Sequence, residues 1–177
     1  MKDFLHGERV ALTAFRGEDA GALAGFEQDS EYLRLYDADV ARPRTVEAIR
    51  TAYESLTPPG GFVFTVRGLD GAVMGVACLD GILPFHGVGG LSIALGRPFW
   101  GQGYGREVLR LVLRFSFNEL NLRRLTITVF DYNARAIRLY ERLGFVREGV
   151  FRSFLVRDGE AHDMLLYGLL RSEWHDT

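Results

Sequence analysis

Apolar and polar residues alternate over 8–15, which reads as a strand, and the Ala, Leu and Phe positions behind Glu18 and Asp19 suit a helix ending near Gln28. The segment 29–43 is mixed and acidic and takes no element. Thr45 is placed to cap a second helix running through Ser55, with Glu47 in its first turn, and Pro58-Pro59-Gly60-Gly61 ends it. Residues 62–67 and 73–79 then read as a hairpin turning at Leu69-Asp70-Gly71, and 89–95 as the next strand.

The pattern sharpens in the second half. Val108, Leu109, Val112 and Phe115 share one face of a helix that starts near Gly103, with Glu107, Arg110, Arg114 and Asn118 on the other. A β-branched strand spans 125–130. Asn133 caps a further helix with Ala136, Ile137, Tyr140 and Leu143 inward, and Gly144 and Phe145 close it. Strands at 146–156 and 163–170, joined at Asp158-Gly159, complete the order βααβββαβαββ. This is a mixed sheet flanked by helices, α/β or α+β by convention, and 177 residues suit one domain over 1–177.

Composition excludes more than it identifies. The single cysteine, Cys78, allows no internal disulfide, suits a reducing cytoplasm and reads as a small buried hydrophobe. His6, His86, His162 and His175 lack metal-ligand spacing, so no metal is expected. No run approaches the ~18 apolar residues of a membrane span. The net charge of -2 conceals a basic island: 97–157 has 12 basic against 5 acidic residues, while 1–96 has 8 against 13. All basic residues but Lys2 are arginine, whose planar fork suits phosphate. Nucleic-acid binding would require a larger positive excess and a recognisable module.

Trp100-Gly101-Gln102-Gly103-Tyr104-Gly105-Arg106 lies between a strand and a helix, where backbone N–H groups and the helix dipole favour an anion. It is no Walker loop, since Arg106 and Glu107 stand where Lys and Ser or Thr belong. Nor is it a dinucleotide fingerprint, whose last glycine would fall on Arg106 and whose acidic ribose ligand is replaced by Arg123 and Arg124. A diphosphate ligand other than ATP or NAD survives.

That turn, the strand Ile93-Ala94-Leu95 before it, and the run Asn-Ala-Arg-Ala-Ile-Arg-Leu-Tyr-Glu-Arg-Leu-Gly-Phe that begins at Asn133 strongly resemble the GNAT superfamily of acetyl-CoA-dependent N-acetyltransferases. The tail Arg147-Glu148-Gly149, Asp158-Gly159-Glu160 and Asp163-Met164 is similar to the branch of ribosomal-protein N-terminal and spermidine acetyltransferases. The resemblance implies acetyl-CoA as co-substrate. Ile93, Ala94 and Leu95 would face its pantetheine arm, Gly101, Gln102, Gly103, Tyr104, Gly105 and Arg106 its pyrophosphate, and Asn133 would complete the cofactor site. Trp100 stands where relatives carry Gln or Arg. In family members a pair of central strands splays apart, often at a bulge, for which Gly89-Gly90 and the Leu95-Gly96 end are candidates. Arg97, Arg106 and Arg138 are candidates for the 3′-phosphate.

Acetyl transfer to an amine requires a neutral amine, a stabilised oxyanion and a proton for the departing thiolate. Helical spacing alone makes Tyr140 a core residue, whereas the resemblance makes it the general acid. The base has no direct candidate, because positions often glutamate in relatives are Thr128 and Gly90. Asp131, Asp80 and His86 are possible relays through water. Glu27, Asp29, Glu31, Asp37 and Asp39 against Arg34 form an acidic strip that suits a cationic acceptor, with a solvated loop face as the alternative. The expected reaction is acetyl transfer to a polyamine, another small amine or a protein N-terminus. A transferase of longer acyl groups and a non-catalytic acyl-CoA sensor are the alternatives. The expected state is a monomer or homodimer, the apolar last strand being equally suited to an edge or an interface.

Overall fold

In the computed structural model, which describes residues 3–56 and 58–176, seven strands form one sheet. Met1 and Lys2 lie outside the described residues. The strands are β1 (Val10–Ala14), β2 (Phe62–Gly68), β3 (Val73–Leu83), β4 (Val88–Leu95), β5 (Arg124–Phe130), β6 (Val146–Arg157) and β7 (Glu160–Leu170). Their order is β1-β2-β3-β4-β5-β7-β6, and every pair is antiparallel except β4–β5. Five helices flank them: α1 (Asp19–Phe26), α2 (Ser30–Tyr36), α3 (Val46–Glu54), α4 (Tyr104–Arg114) and α5 (Ala134–Arg142).

The fold class is the expected one, with one helix more than the sequence pattern predicts. The addition is α2, inside the acidic segment. Asp29 caps it, accepting from the N–H groups of Glu31 (3.0 Å) and Tyr32 (3.4 Å), and Tyr32 and Leu33 are buried. Seven residues are too few to establish a helical period, so the cap is its only local signal. The other caps are those expected: Thr45 Oγ1 accepts from Ala48 N–H, and Asn133 from Ala136 N–H, both at 3.1 Å. Gly144, at φ +91°, ends α5 as Phe145 N–H reaches back to the Tyr140 carbonyl.

The centre of the sheet is buried on both faces, because β3 sends Ala77 and Leu79 to the α4 side and Val76 and Cys78 to the side of α1, α2 and α3. Burial pushes the Cys78 thiol up to about 12, so it packs as a neutral hydrophobe. On α4, Val108, Leu109 and Val112 are buried as the spacing requires. Glu107 does not point to solvent as its spacing predicts. Its carboxylate accepts from Arg9 N–H (2.7 Å) and Arg9 Nε (3.1 Å), tying the start of β1 to α4.

Gly75 marks the tightest strand contact. A Cβ there would lie 2.1 Å from the Ala94 carbonyl oxygen and 2.8 Å from Leu95 Cα, both backbone atoms. Gly75→Ala must push β3 and β4 apart. At an overpacking cost of about 2–3 kcal/mol it should lower Tm by roughly 5–10 °C in a thermal melt; an unchanged Tm would show that the two strands can separate freely.

Candidate active site

The site begins as a fault in the sheet. β4 and β5 pair at only three positions, Val88 with Arg124, Gly89 with Leu125 and Gly90 with Thr126. Beyond Gly90 each strand keeps its outer partner, β3 for β4 and β7 for β5, and the two diverge. The pairing of β3 with β4 slips by one residue between Asp80↔Gly90 and Leu83↔Val88, where Gly81 has φ +54°. The extra residue thus belongs to β3, opposite Gly89, rather than to Gly89-Gly90 or the Leu95-Gly96 end. The divergence leaves the backbone of 91–95 and 127–130 without a strand partner on the inner side. A cleft of about 600 Å³ fills the space, lined by Ile93, Ala94 and Leu95 on one bank and Ile127, Thr128 and Val129 on the other.

At its mouth the glycine turn is held from three sides. Trp100 Nε1 donates to the Leu95 carbonyl at 2.6 Å, Gln102 Nε2 to the Pro98 carbonyl at 2.5 Å, and Arg9 Nη1 to the Gln102 carbonyl at 2.9 Å. Gly101 and Gly103 have φ of +74° and +86°, which a side chain would strain. Gly101, Gly103, Gly105 and Arg106 line the cleft. Gln102 and Tyr104 do not; Tyr104 packs beneath the Arg9 guanidinium, 4.7 Å away. Nothing near the turn in sequence points to Arg9.

Charge in the cleft is one-sided. Arg106, Arg135, Arg138 and Arg142 line it, with no carboxylate among the lining residues, and none of the four has an ion-pair partner among the described residues. Such a lining fits a polyanion of extended shape, and the open strand edges suit a chain of amides lying as a substitute strand. Coenzyme A has both features. Arg97, a candidate for its 3′-phosphate, turns away and pairs with Asp29 and with Glu31 (2.6 Å).

Tyr140 lines the cleft from α5, buried against Phe145 and Tyr167 at ring distances of 6.0 and 6.3 Å. Its hydroxyl has no hydrogen-bond partner among the described residues, and burial raises it well above the usual phenol range. Asn133 also lines the cleft; its side-chain oxygen caps α5, leaving its amide NH2 unengaged among the described residues. The three candidate bases separate clearly. Asp131 is occupied by His162 Nδ1 (3.1 Å) and Asp163 N–H (3.0 Å), and His86 sits in the turn before β4, beyond the paired end of the gap. Asp80 stands at the vertex: a Cβ on Gly90 would lie 2.5 Å from its Oδ1. It has no ion-pair partner among the described residues, and desolvation by the strands around it raises its carboxyl.

The acidic strip does not act as one surface. Glu27 is buried and paired with Arg44 at 2.5 Å, Asp29 and Glu31 share Arg97, and Asp37 accepts from Asp39 N–H. Those pairs fasten α2 over the cleft.

Residues 9–146 match the acetyltransferase (GNAT) domain family. The chain belongs to the GNAT acetyltransferase family. It is an acetyl-CoA-dependent acetyltransferase, and the relatives it matches are named as N-acetyltransferases. It is 30% identical over 168 residues to the SPbeta prophage-derived uncharacterized N-acetyltransferase YokL of Bacillus subtilis, covering 95% of this chain and 93% of that one. It is 28% identical over 104 residues to the ribosomal protein uS5-alanine N-acetyltransferase of Escherichia coli, covering 58% of this chain and 53% of that one. The fold matches the crystal structure of spermidine N-acetyltransferase from Vibrio cholerae in complex with CoA and spermine, with a TM-score of 0.85 at 21% identity, covering 94% of this chain and 98% of that one.

The Arg97 latch is measurable through Asp29. Hydrogen bonds from the Arg97 guanidinium first, and from the Glu31 and Tyr32 N–H groups, hold this carboxyl down to about 2 against the burial that raises it. A depressed carboxyl stabilises the fold above its unfolded value of about 3.9 and loses that contribution as pH falls toward 2. Arg97→Gln should return Asp29 most of the way to its ordinary value in an NMR titration and diminish the loss of stability between those pH values. An Asp29 that still titrates near 2 would mean that the cap, not Arg97, holds it.

Proposed function

We propose that this enzyme moves the acetyl group of acetyl-CoA to a primary amine by direct attack, with Tyr140 as the acid and Asp80, through water, as the base. The observation that carries this reading is the hydroxyl of the buried Tyr140, unbonded among the described residues and open to the gap between β4 and β5. Acetyl-CoA supplies the activated acyl carbon when bound. The arginines of the lining hold its phosphates, and the amide NH2 of Asn133 and the open edge of β4 hold its pantetheine arm. A backbone N–H of 93–95 accommodates the oxyanion.

The amine nitrogen forms the new N–C bond, the C–S bond breaks, and the thiolate takes its proton from Tyr140. The raised phenol remains protonated at neutral pH and is available as a donor. The proton lost by the amine passes to Asp80. Paired residues share a sheet face, so Asp80, Gly90 and Thr126 form one row, and Cys78, Ser92 and Thr128 the next. Ser92 and Thr128 line the cleft. Two strand residues, about 6.6 Å, separate the rows, a span that one water bridges.

The acceptor reaches this face beneath α2, where Tyr32, Leu35 and Tyr36 line the cleft. A second hollow of about 400 Å³ shares Leu35 and has room for the rest of the acceptor. The spermidine and ribosomal-protein activities of the relatives support an amine acceptor. With Glu27, Asp29 and Glu31 tied to arginines, attraction of a polycation by that strip is not part of the proposal.

A screen of small amines and short peptides with acetyl-CoA, following thiol release, tests the reading. On the best acceptor, Tyr140→Phe should lower kcat about 100-fold or more with acetyl-CoA affinity unchanged. Asp80→Asn should lower kcat/KM and flatten the limb in which the rate rises with pH, because the base works only when deprotonated. Wild-type kcat in Tyr140→Phe would overturn the acid, and an unaltered pH profile in Asp80→Asn the base.

A further inference from the structure

Trp100 follows β4 and Arg135 lies in the first turn of α5, after β5, so the two belong to opposite banks of the gap. They meet across its mouth. The Arg135 guanidinium carbon lies 3.9 Å from the indole centroid, and Arg97 lies 4.9 Å from the same ring. The ring is fixed by its bond to the Leu95 carbonyl.

Arg135 is poorly placed by every local criterion. It carries a cation in the first turn of a helix, where the dipole disfavours one. It is exposed and close to Arg97, and has neither an ion pair nor a hydrogen bond among the described residues. Partial desolvation by its neighbours first, with Arg97 adding to it against the pull of Glu31, lowers its pKa. A guanidinium held by an aromatic face, facing a cleft without lining carboxylates and left with all its donors, is arranged for an anion that arrives later.

We propose that Arg135, aligned by Trp100, binds the diphosphate of the cofactor from the β5 bank, while the amides of 101–105 bind it from the β4 bank. The tryptophan then supports a phosphate ligand instead of providing one. The assignment deepens the proposed use of acetyl-CoA and depends on it.

Calorimetric titration of the wild type, Arg135→Gln, Arg135→Lys and Trp100→Leu with three ligands tests it. The ligands are CoA, dephospho-CoA, which lacks the 3′-phosphate, and pantetheine, which lacks all phosphates. Arg135→Gln should weaken CoA and dephospho-CoA alike by about tenfold and leave pantetheine unchanged. Arg135→Lys should fall between it and the wild type, keeping the charge without the fork. Trp100→Leu should weaken both phosphate ligands through lost alignment.

Arg135→Gln binding CoA within twofold of the wild type would overturn the assignment. So would a loss shared by pantetheine, which would mean a collapsed gap, and a loss with CoA but not dephospho-CoA, which would move Arg135 to the 3′-phosphate. A wild type that fails to bind CoA defeats the cofactor reading as well, so the two failures are distinguishable.

Discussion

A strand in the middle of a sheet normally has its backbone N–H and C=O groups bonded on both edges, and β4 and β5 satisfy that condition with each other for three residue pairs only. Past Gly90 and Thr126 the sheet continues to be paired outward while its centre stands open. Neither strand can close the gap by sliding, because β4 is locked to β3 as far as Gly75↔Leu95 and β5 to β7 as far as Phe130↔Met164. The extra residue in β3 near Gly81 lies at the vertex of the opening. Open edges of this kind have to be met by water or by a ligand with amides of its own.

The surroundings keep the gap open and give it polarity. Arg9 and Glu107 join β1 to α4, and the Trp100 indole ties the glycine turn to the end of β4, so the amides at the mouth are prearranged. On the other face, Arg97 and Arg44 hold α2 and the segment before α3 to the body through Asp29, Glu31 and Glu27. Arginines that pair with carboxylates build the walls, whereas the four lining the cleft have no such partner among the described residues. The distinction follows from position rather than residue type, which is why counting arginines in the sequence suggests a polyanion without saying which of them would meet it.

The legible features of the sequence are those whose signal is local. WGQGYG demands positive φ at Gly101 and Gly103, and the Asn133 to Phe145 run carries its own cap and stop, so turn, helix and fold class can all be read. The α2 helix escapes the pattern because seven residues establish no period, and the acidic strip misleads because its partners, Arg44 and Arg97, lie 17 or more residues away. Asp80 can be named from sequence, but only the register that sets it over Gly90 separates it from Asp131 and His86. Arg9 and Arg135 leave no sequence signal of their roles. One acts on a turn 93 residues further along, and the other across a gap that only the diverging strands create.

If that gap accepts the pantetheine arm as a missing strand, amide hydrogen exchange with and without saturating acetyl-CoA is the most direct measurement. Exchange should slow in 91–95 and in the turn 101–106, with β1 and the paired stretch of β6 and β7 unchanged, and should not slow with ATP. Equal exchange at 91–95 in the two states, under conditions where acetyl-CoA is bound, would contradict that placement, since the cofactor would then lie outside the sheet.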